Sequence, residues 1–304
     1  MIEYENLRHK HLIPAIKLTE PSTYRPWEHV LTPYVVVRLS EFLRGDGSNF
    51  NSRFEEVRTA GGLHTFLGYS GKILLSSIMP DKMIFGFTPQ MYVECIKALH
   101  PDFYMTPDGE TYEDEVELSK KEIKRICEDT LHIVKECPES IPFGLVKGST
   151  LSQIEIHTKF MRSFGIKFFV FHTGDFLRFG KLHLLTRSME YAKRIRKLAP
   201  YLAIYGIGSK ENMRKFFFAN GFITQSHYTK AFYGKIMKYG KWTSYKGQIT
   251  RDTIMNNLRE LNLSLESLKK EYGGLIKWVV EGEALVYPMQ HHALITKVGL
   301  SVNQ

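Results

Sequence analysis

Cysteine is scarce in this 304-residue chain: Cys95, Cys127 and Cys137 are too few and too scattered for a disulfide framework. No two of them stand at zinc-ligand spacing, so no structural metal and no zinc subdomain is expected, and no motif calls for a cofactor. Apolar runs of membrane-spanning length are missing too. Residues 1–17 alternate charges with short apolar pieces where a signal peptide would carry a continuous core. These absences point to a reducing cytoplasm, no membrane partner and no classical export signal. Acids are also in short supply: 32 Asp and Glu face 41 Lys and Arg, a formal charge of +9. That excess favours a polyanionic partner such as nucleic acid and says nothing about fold.

What is present is a chain with 43% hydrophobic residues, enough to bury a substantial core. Short β-rich runs recur at 34–39, 72–75, 103–105, 143–146, 167–172 and 201–205. Between them lie amphipathic stretches at 89–99, 119–136, 151–164, 184–199 and 210–220. Strands alternating with helices imply parallel strands and crossover helices. The length and strand number favour an α/β protein of the (β/α)8 TIM-barrel type over an open doubly wound sheet. The barrel is expected over 1–245. A small C-terminal helical extension is expected over 246–304, with a helix pair within 252–272.

Several runs end in polar or glycine-rich loops: Thr106-Pro107-Asp108-Gly109-Glu110, Lys147-Gly148-Ser149, His172-Thr173-Gly174-Asp175 and Gly206-Ile207-Gly208. In a parallel barrel such loops open on one face, where active sites are built. The strand ends carrying Ser76, Asp108, Lys147, Asp175 and Gln225 are therefore expected to converge on one pocket. Bland roles compete for each residue. Asp108 before a glycine suits a turn, Asp175 suits a helix N-cap, His172 suits a satisfied core histidine, and Gly206-Ile207-Gly208 suits a plain turn. From Lys210 to Arg251 nine Lys and Arg stand against the single acid Glu211, interleaved with aromatics. Lys230, Lys235, Lys238, Lys241 and Trp242 are expected to contact nucleic acid there, cations on phosphates and rings on bases, although a solvated basic face reads the same way.

Four segments in order carry a family resemblance. Gly61-Gly62-Leu63-His64-Thr65-Phe66 leads into a strand as the Gly-Leu-His-Lys-Phe segment of tRNA-guanine transglycosylases does. Phe103-Tyr104-Met105-Thr106-Pro107-Asp108 resembles their strand ending in a base-reading aspartate. Phe143-Gly144-Leu145-Val146-Lys147-Gly148 is similar to Phe-Gly-Ile-Val-Gln-Gly, and Tyr205-Gly206-Ile207-Gly208-Ser209 to the Gly-Val-Gly-Thr turn. The matches span about 31–234, and the compact length looks closest to the DNA-guanine transglycosylases of phages and bacteria. The resemblance implies a barrel in the cytoplasm of a bacterial or phage-infected cell. Its partners would be DNA or tRNA and a modified nucleobase or its precursor, and it would act as a homodimer or beside a partner subunit. Asp108, Lys147, Gly148, His172, Gly174 and Gly206 would bind the base.

The departures are specific. Leu75-Ser76-Ser77 stands where the family has Thr-Asp-Ser-Gly-Gly, Thr224-Gln225-Ser226 stands at its nucleophilic aspartate, and its zinc cysteines are absent. Base exchange needs a carboxylate to attack the sugar C1′ and a second group to manage the proton on the base. Neither Ser76 nor Gln225 supplies a carboxylate, which leaves Asp108, Glu110 and above all Asp175. Three activities follow: insertion of a 7-deazaguanine derivative into DNA, transfer of a group such as an amino acid onto an activated base in phage DNA, or non-catalytic presentation of nucleic acid to a partner.

Overall fold

The computed structural model describes residues 10–18, 25–111, 115–177 and 182–281, with the side chains of Asp175, Leu177, Leu182 and 274–281 outside the description. Eight parallel strands close into a barrel in chain order. They are β1 (His11–Ile16), β2 (Tyr34–Arg38), β3 (Lys72–Ser76), β4 (Phe103–Met105), β5 (Ile141–Val146), β6 (Phe168–His172), β7 (Tyr201–Tyr205) and β8 (Gly221–Thr224). The ring closes where His11 lies opposite Gly221 and Pro14 opposite Thr224. The fold is thus the (β/α)8 barrel that the alternating pattern implies.

Strand side chains alternate between two environments, as a pleated barrel wall requires. On β2, Val36 points inward with Ala15, Leu74, Leu145, Val170 and Ile223, whereas Val35 and Val37 point outward to the helices. At the N-terminal ends of the strands, the foot, the rings of Phe103, Phe143, Phe168 and Tyr201 pack with centroids 5.0 to 6.2 Å apart. Each such pair adds about 0.5–1.5 kcal/mol beyond area burial. This plug fills the foot, so room for a ligand lies at the opposite mouth.

Around the barrel run α1 (Ser52–Thr59), α2 (Leu63–Leu67), α3 (Asp81–Ile84), α4 (Pro89–Leu99), α5 (Val116–Glu136), α6 (Leu151–Ser163), α7 (Gly174–Leu177), α8 (Leu182–Leu198), α9 (Lys210–Lys215), α10 (Ser226–Phe232) and α11 (Arg251–Glu281). Side chains of Asn51, Thr88, Thr150 and Ser209 each accept a backbone N–H in the first turn of the helix that follows, and Pro89 opens α4. Thr150 and Ser209 start their helices four residues past the ends of β5 and β7, on the mouth side.

Two strands were hidden in the sequence. β1 contains Pro14, which lacks a ladder donor, and β8 is only four residues long. The helix expected over 210–220 stops at Lys215, after which Phe216 and Phe217 are buried in a turn that feeds β8. The helix pair expected within 252–272 is one helix, α11. Its Leu258, Leu261, Leu265 and Leu268 share a core cluster with Leu12, Leu202 and Phe222, so the described part of the extension docks into the barrel's own core. Before α11, β9 (Lys235–Lys238) and β10 (Lys241–Ser244) form an antiparallel hairpin outside the barrel.

Candidate functional site

The mouth of the barrel holds a cavity of about 400 Å³, within the range of small-molecule sites. Five of the expected site residues meet on its wall: Asp108, Lys147, His172, Gly174 and Gln225. They come from the ends of β4, β5, β6 and β8, so strand order brings together residues up to 117 positions apart in sequence. Ser76, Gly148 and Gly206 are not on that wall. The Ser76 hydroxyl is fully buried and accepts the Ile78 N–H at 3.3 Å. Gly206 forms a turn at φ +98, a conformation glycine adopts without strain. Asp175 lies inside the α7 turn, one residue past its start, and not at an N-cap. Its side chain is outside the described residues.

Asp108 and Lys147 form the central ion pair, Nζ to Oδ1 3.0 Å, with side chains only 6% and 9% exposed. The same carboxylate accepts the Gly109 N–H at 2.8 Å and, more weakly, the Met79 N–H at 3.4 Å. From behind, the Arg125 guanidinium donates to the Asp108 carbonyl at 3.2 Å while pairing with Glu122 and Asp129 on α5. Gly109 lies close against α5: a Cβ would fall 2.4 Å from the Glu122 carboxylate, so a larger residue would displace that side chain. The turn reading of Asp108-Gly109 therefore gives way to a loop pressed against α5 that aims its carboxylate into the mouth.

Lys147 is positioned from its backbone. His157 on α6 is fully buried, and its Nδ1 lies 3.1 Å from both the N–H and the carbonyl of Lys147. Burial holds this imidazole down to about 4, so it is neutral at ordinary pH. Two residues on, Ser149 is held through its N–H and hydroxyl by the Gln153 side chain, and its carbonyl accepts the Tyr191 hydroxyl. The loop carrying Lys147 is thereby preorganised.

Across the mouth, Gln225 Oε1 accepts the Tyr228 hydroxyl at 3.1 Å and an Arg38 N–H at 3.5 Å, while Arg38 pairs with Glu41. Tyr205 packs edge-on against the His172 ring at 5.3 Å. Burial, with Tyr228 beside it, pushes the Tyr205 phenol well above its ordinary value, against the pull of Arg38 and a hydrogen bond to Ser76. His172 lies directly over Gly174, where a Cβ would meet its Nε2 at 2.5 Å. The Glu110 carboxyl, on the cavity wall, is held above its ordinary value. Burial comes first among the causes, then Asp81, Glu122 and Glu115, with Lys147 opposing.

Three ionisable wall residues escape sequence reading: Arg38, Asp81 and Tyr205. Arg38 closes an apolar run that reads as plain strand, Asp81 opens a helix of four residues, and Tyr205 looks like core. Chemically, the wall presents an acceptor braced by a cation, a second carboxyl whose titration is raised by burial, and an amide. Neither position that the resemblance assigns to a catalytic aspartate holds a carboxylate. The carboxylates on the described wall are Asp81, Asp108 and Glu110.

The basic hairpin is partly spent on the fold. Trp242, expected on nucleic acid, is half-buried, and its indole N–H donates to the Gly208 carbonyl at 2.6 Å, so it pins the hairpin to the loop leaving β7. Lys235 bonds the Ser244 hydroxyl across the hairpin at 2.9 Å. Among the described residues no cluster of His, Cys, Asp or Glu gathers to hold a metal, and no helix is long and apolar enough to cross a membrane. No family model and no curated protein matches the chain.

Proposed function

We propose that the cavity receives a nucleobase turned out of a nucleic-acid strand, and that the chain is a base-modifying enzyme of the transglycosylase type acting on DNA. The observation that carries this reading is the buried Asp108–Lys147 pair on the wall of a cavity of about 400 Å³ at the barrel mouth. A buried ion pair contributes little net stability compared with apolar filling, so its presence at a cavity favours a role in recognition. Asp108 Oδ2, whose described contact is the long one to the Met79 N–H, suits an N–H of a guanine-like edge, and a site built this way rejects bases that leave it unpaired. A base inside a duplex reaches such a cavity by flipping out.

In base exchange a carboxylate attacks C1′ and the departing base takes a proton. Glu110 is suited to supply that proton. Asp175, beside Gly174 of the wall, is the nucleophile to test first. The incoming 7-deazaguanine derivative then bonds to C1′ through its ring nitrogen, displaces the carboxylate and returns its N–H proton to Glu110. A second reading, transfer of a group onto an already activated base, is favoured by one observation: Ser76 is buried beneath the floor and the Gln225 oxygen is bound by Tyr228 and Arg38.

Mass spectrometry of nucleosides from DNA and tRNA, in cells expressing the chain or its Asp108→Asn variant, tests the proposal. A deazapurine in DNA that disappears with Asp108→Asn is expected. A product formed only where a modified base already exists supports group transfer. An unchanged nucleoside profile would leave only the binding-subunit reading.

A further inference from the structure

The β9–β10 hairpin and the helix before it carry cations and exposed rings that the fold does not use. Of the basic side chains between Lys210 and Arg251, five are engaged internally: Lys210 with Ser267, Arg214 with Glu271, Lys215 with Glu211, Lys235 with Ser244 and Arg251 with Glu28. Lys230, Lys238, Lys241 and Lys246 are exposed and make no ion pair among the described residues. The nearby carboxylate of Glu260 is taken up by the Tyr239 N–H at 3.0 Å.

The hairpin tip supplies an independent observation. Tyr239 and Gly240 join the strands with φ +50 and +77, the left-handed pair of a tight hairpin turn. Asn or Gly fits the first of these positions, and a bulky side chain there is strained. The residue present is nevertheless tyrosine, and its ring is 95% exposed. No packing against the fold repays that conformation, so the observed outlier points to a use for the ring outside it. Tyr233, 75% exposed, adds a second ring on the same hairpin's approach. The scaffold beneath is rigid: Asn257 on α11 accepts the Met237 N–H at 2.7 Å, and Trp242 fixes β10 to the loop leaving β7 at the barrel mouth.

We propose that this hairpin is a docking surface for a single-stranded stretch of polynucleotide, with phosphates on Lys230, Lys238, Lys241 and Lys246 and a base stacked on Tyr239. An unpaired strand is required because a ring can reach a base face only where the base is unstacked, whereas a duplex offers phosphates alone. That the bound strand continues into the mouth rests on the nucleobase reading of the cavity; the docking itself does not.

Fluorescence anisotropy with labelled oligo(dT), oligo(rU) and a duplex of equal length tests the proposal on the full chain. The expected result is tighter binding of single strands than of duplex, with the two single-stranded probes distinguishing DNA from RNA. Tyr239→Ala should weaken single-strand binding by about tenfold or more, and Tyr239→Phe should restore it. Tyr239→Asn should lose binding while raising thermal stability, because asparagine relieves the backbone strain. Lys238→Gln with Lys241→Gln should flatten the slope of log affinity against log salt by about 1.4, roughly 0.7 for each single-strand phosphate no longer neutralised. The control pair Lys120→Gln with Lys121→Gln, on exposed α5, should change neither affinity nor slope. Unaltered affinity in Tyr239→Ala, or a control pair that shifts the slope as much as the hairpin pair, overturns the proposal. Binding of oligo(dT) by the parent is read apart from its nucleoside profile, so an unaltered nucleoside profile with intact binding would count against the cavity reading and not against the hairpin.

Discussion

Strand β4 has an aspartate beyond either end, Asp102 at the foot and Asp108 at the mouth, and each is paired with a lysine. At the foot both carboxylate oxygens are held firmly: Asp102 takes Lys72 at 2.6 Å, His64 at 2.9 Å and the Ile73 N–H at 2.9 Å, and Lys72 is 58% exposed. At the mouth both partners are nearly dry, and the carboxylate faces open space. The same two residue types thus close one end of a sheet and equip the other. The difference is solvent: water screens the lower pair and makes it replaceable, whereas the upper pair depends on itself.

The largest expected effect follows from that difference. Asp108→Ala leaves the Lys147 ammonium buried without its carboxylate and should cost about 3–5 kcal/mol in urea unfolding. Asp102→Ala should cost about 1–2 kcal/mol, because the exposed Lys72 regains water and only modest hydrogen bonds disappear. Equal costs would erase the distinction between the two ends. Replacing Asp108 and Lys147 together by apolar residues should recover much of the stability while abolishing base modification.

Acid should separate the two ends next. His157, which holds the backbone of Lys147, is neutral in the fold down to about 4 against an ordinary value of 6.5. The unfolded chain therefore binds the proton first, and stability should fall as pH drops from 6.5 toward 4, by up to about 1.4 kcal/mol per pH unit for such a group. Asp102 behaves differently. Burial pushes its carboxyl up, but the Lys72 and Ile73 hydrogen bonds and the neighbouring His64 outweigh burial and hold it below its ordinary value. Its contribution is present above the ordinary carboxylate range and lost only as pH falls through the lowered value. Unfolding midpoints for the parent and His157→Gln across this range should show the first slope shrink in the variant. An identical slope would remove His157 as its source.

Lys10 gives the foot its own signature on the alkaline side. It is buried, donates to the Phe217 and Ala219 carbonyls, and is held down to about 7 by burial, then by Arg196 and Lys269. The unfolded chain holds that proton up to the ordinary lysine range, so stability should rise from pH 7 toward 10, and Lys10→Met should remove the rise.

The smallest expected change in stability is at the mouth. Gly174→Ala should displace the His172 ring, lowering the yield of modified nucleoside, while the midpoint moves by under about 1 kcal/mol because both residues border the cavity.

How far the site can be read from the chain depends on what each residue leans on. Asp108, Lys147, His172 and Gly174 end recognisable strands, so barrel topology alone predicts that they converge. Arg38 and Tyr205 end strands too, but their apolar context hides them. In the sequence Trp242 looks free to meet a base, because nothing there shows that a carbonyl 34 residues earlier claims its N–H. Nearby Tyr239, at 95%, is the more exposed ring.

By itself the sequence determined the barrel, through periods of two and 3.6 alternating along one chain, and the helix starts, through caps that act within four residues. Local hydrogen bonding and side-chain periodicity suffice for both. Only the tertiary structure decided that β1 and β8 close the ring despite Pro14 and a four-residue strand, since the residues they pair are 210 positions apart. It also decided that Lys147 pairs with Asp108, that Ser76 sinks below the floor, and that of two aspartates flanking one strand only the upper faces a cavity. Each of these outcomes turns on burial and on contacts between distant segments, which no local pattern encodes.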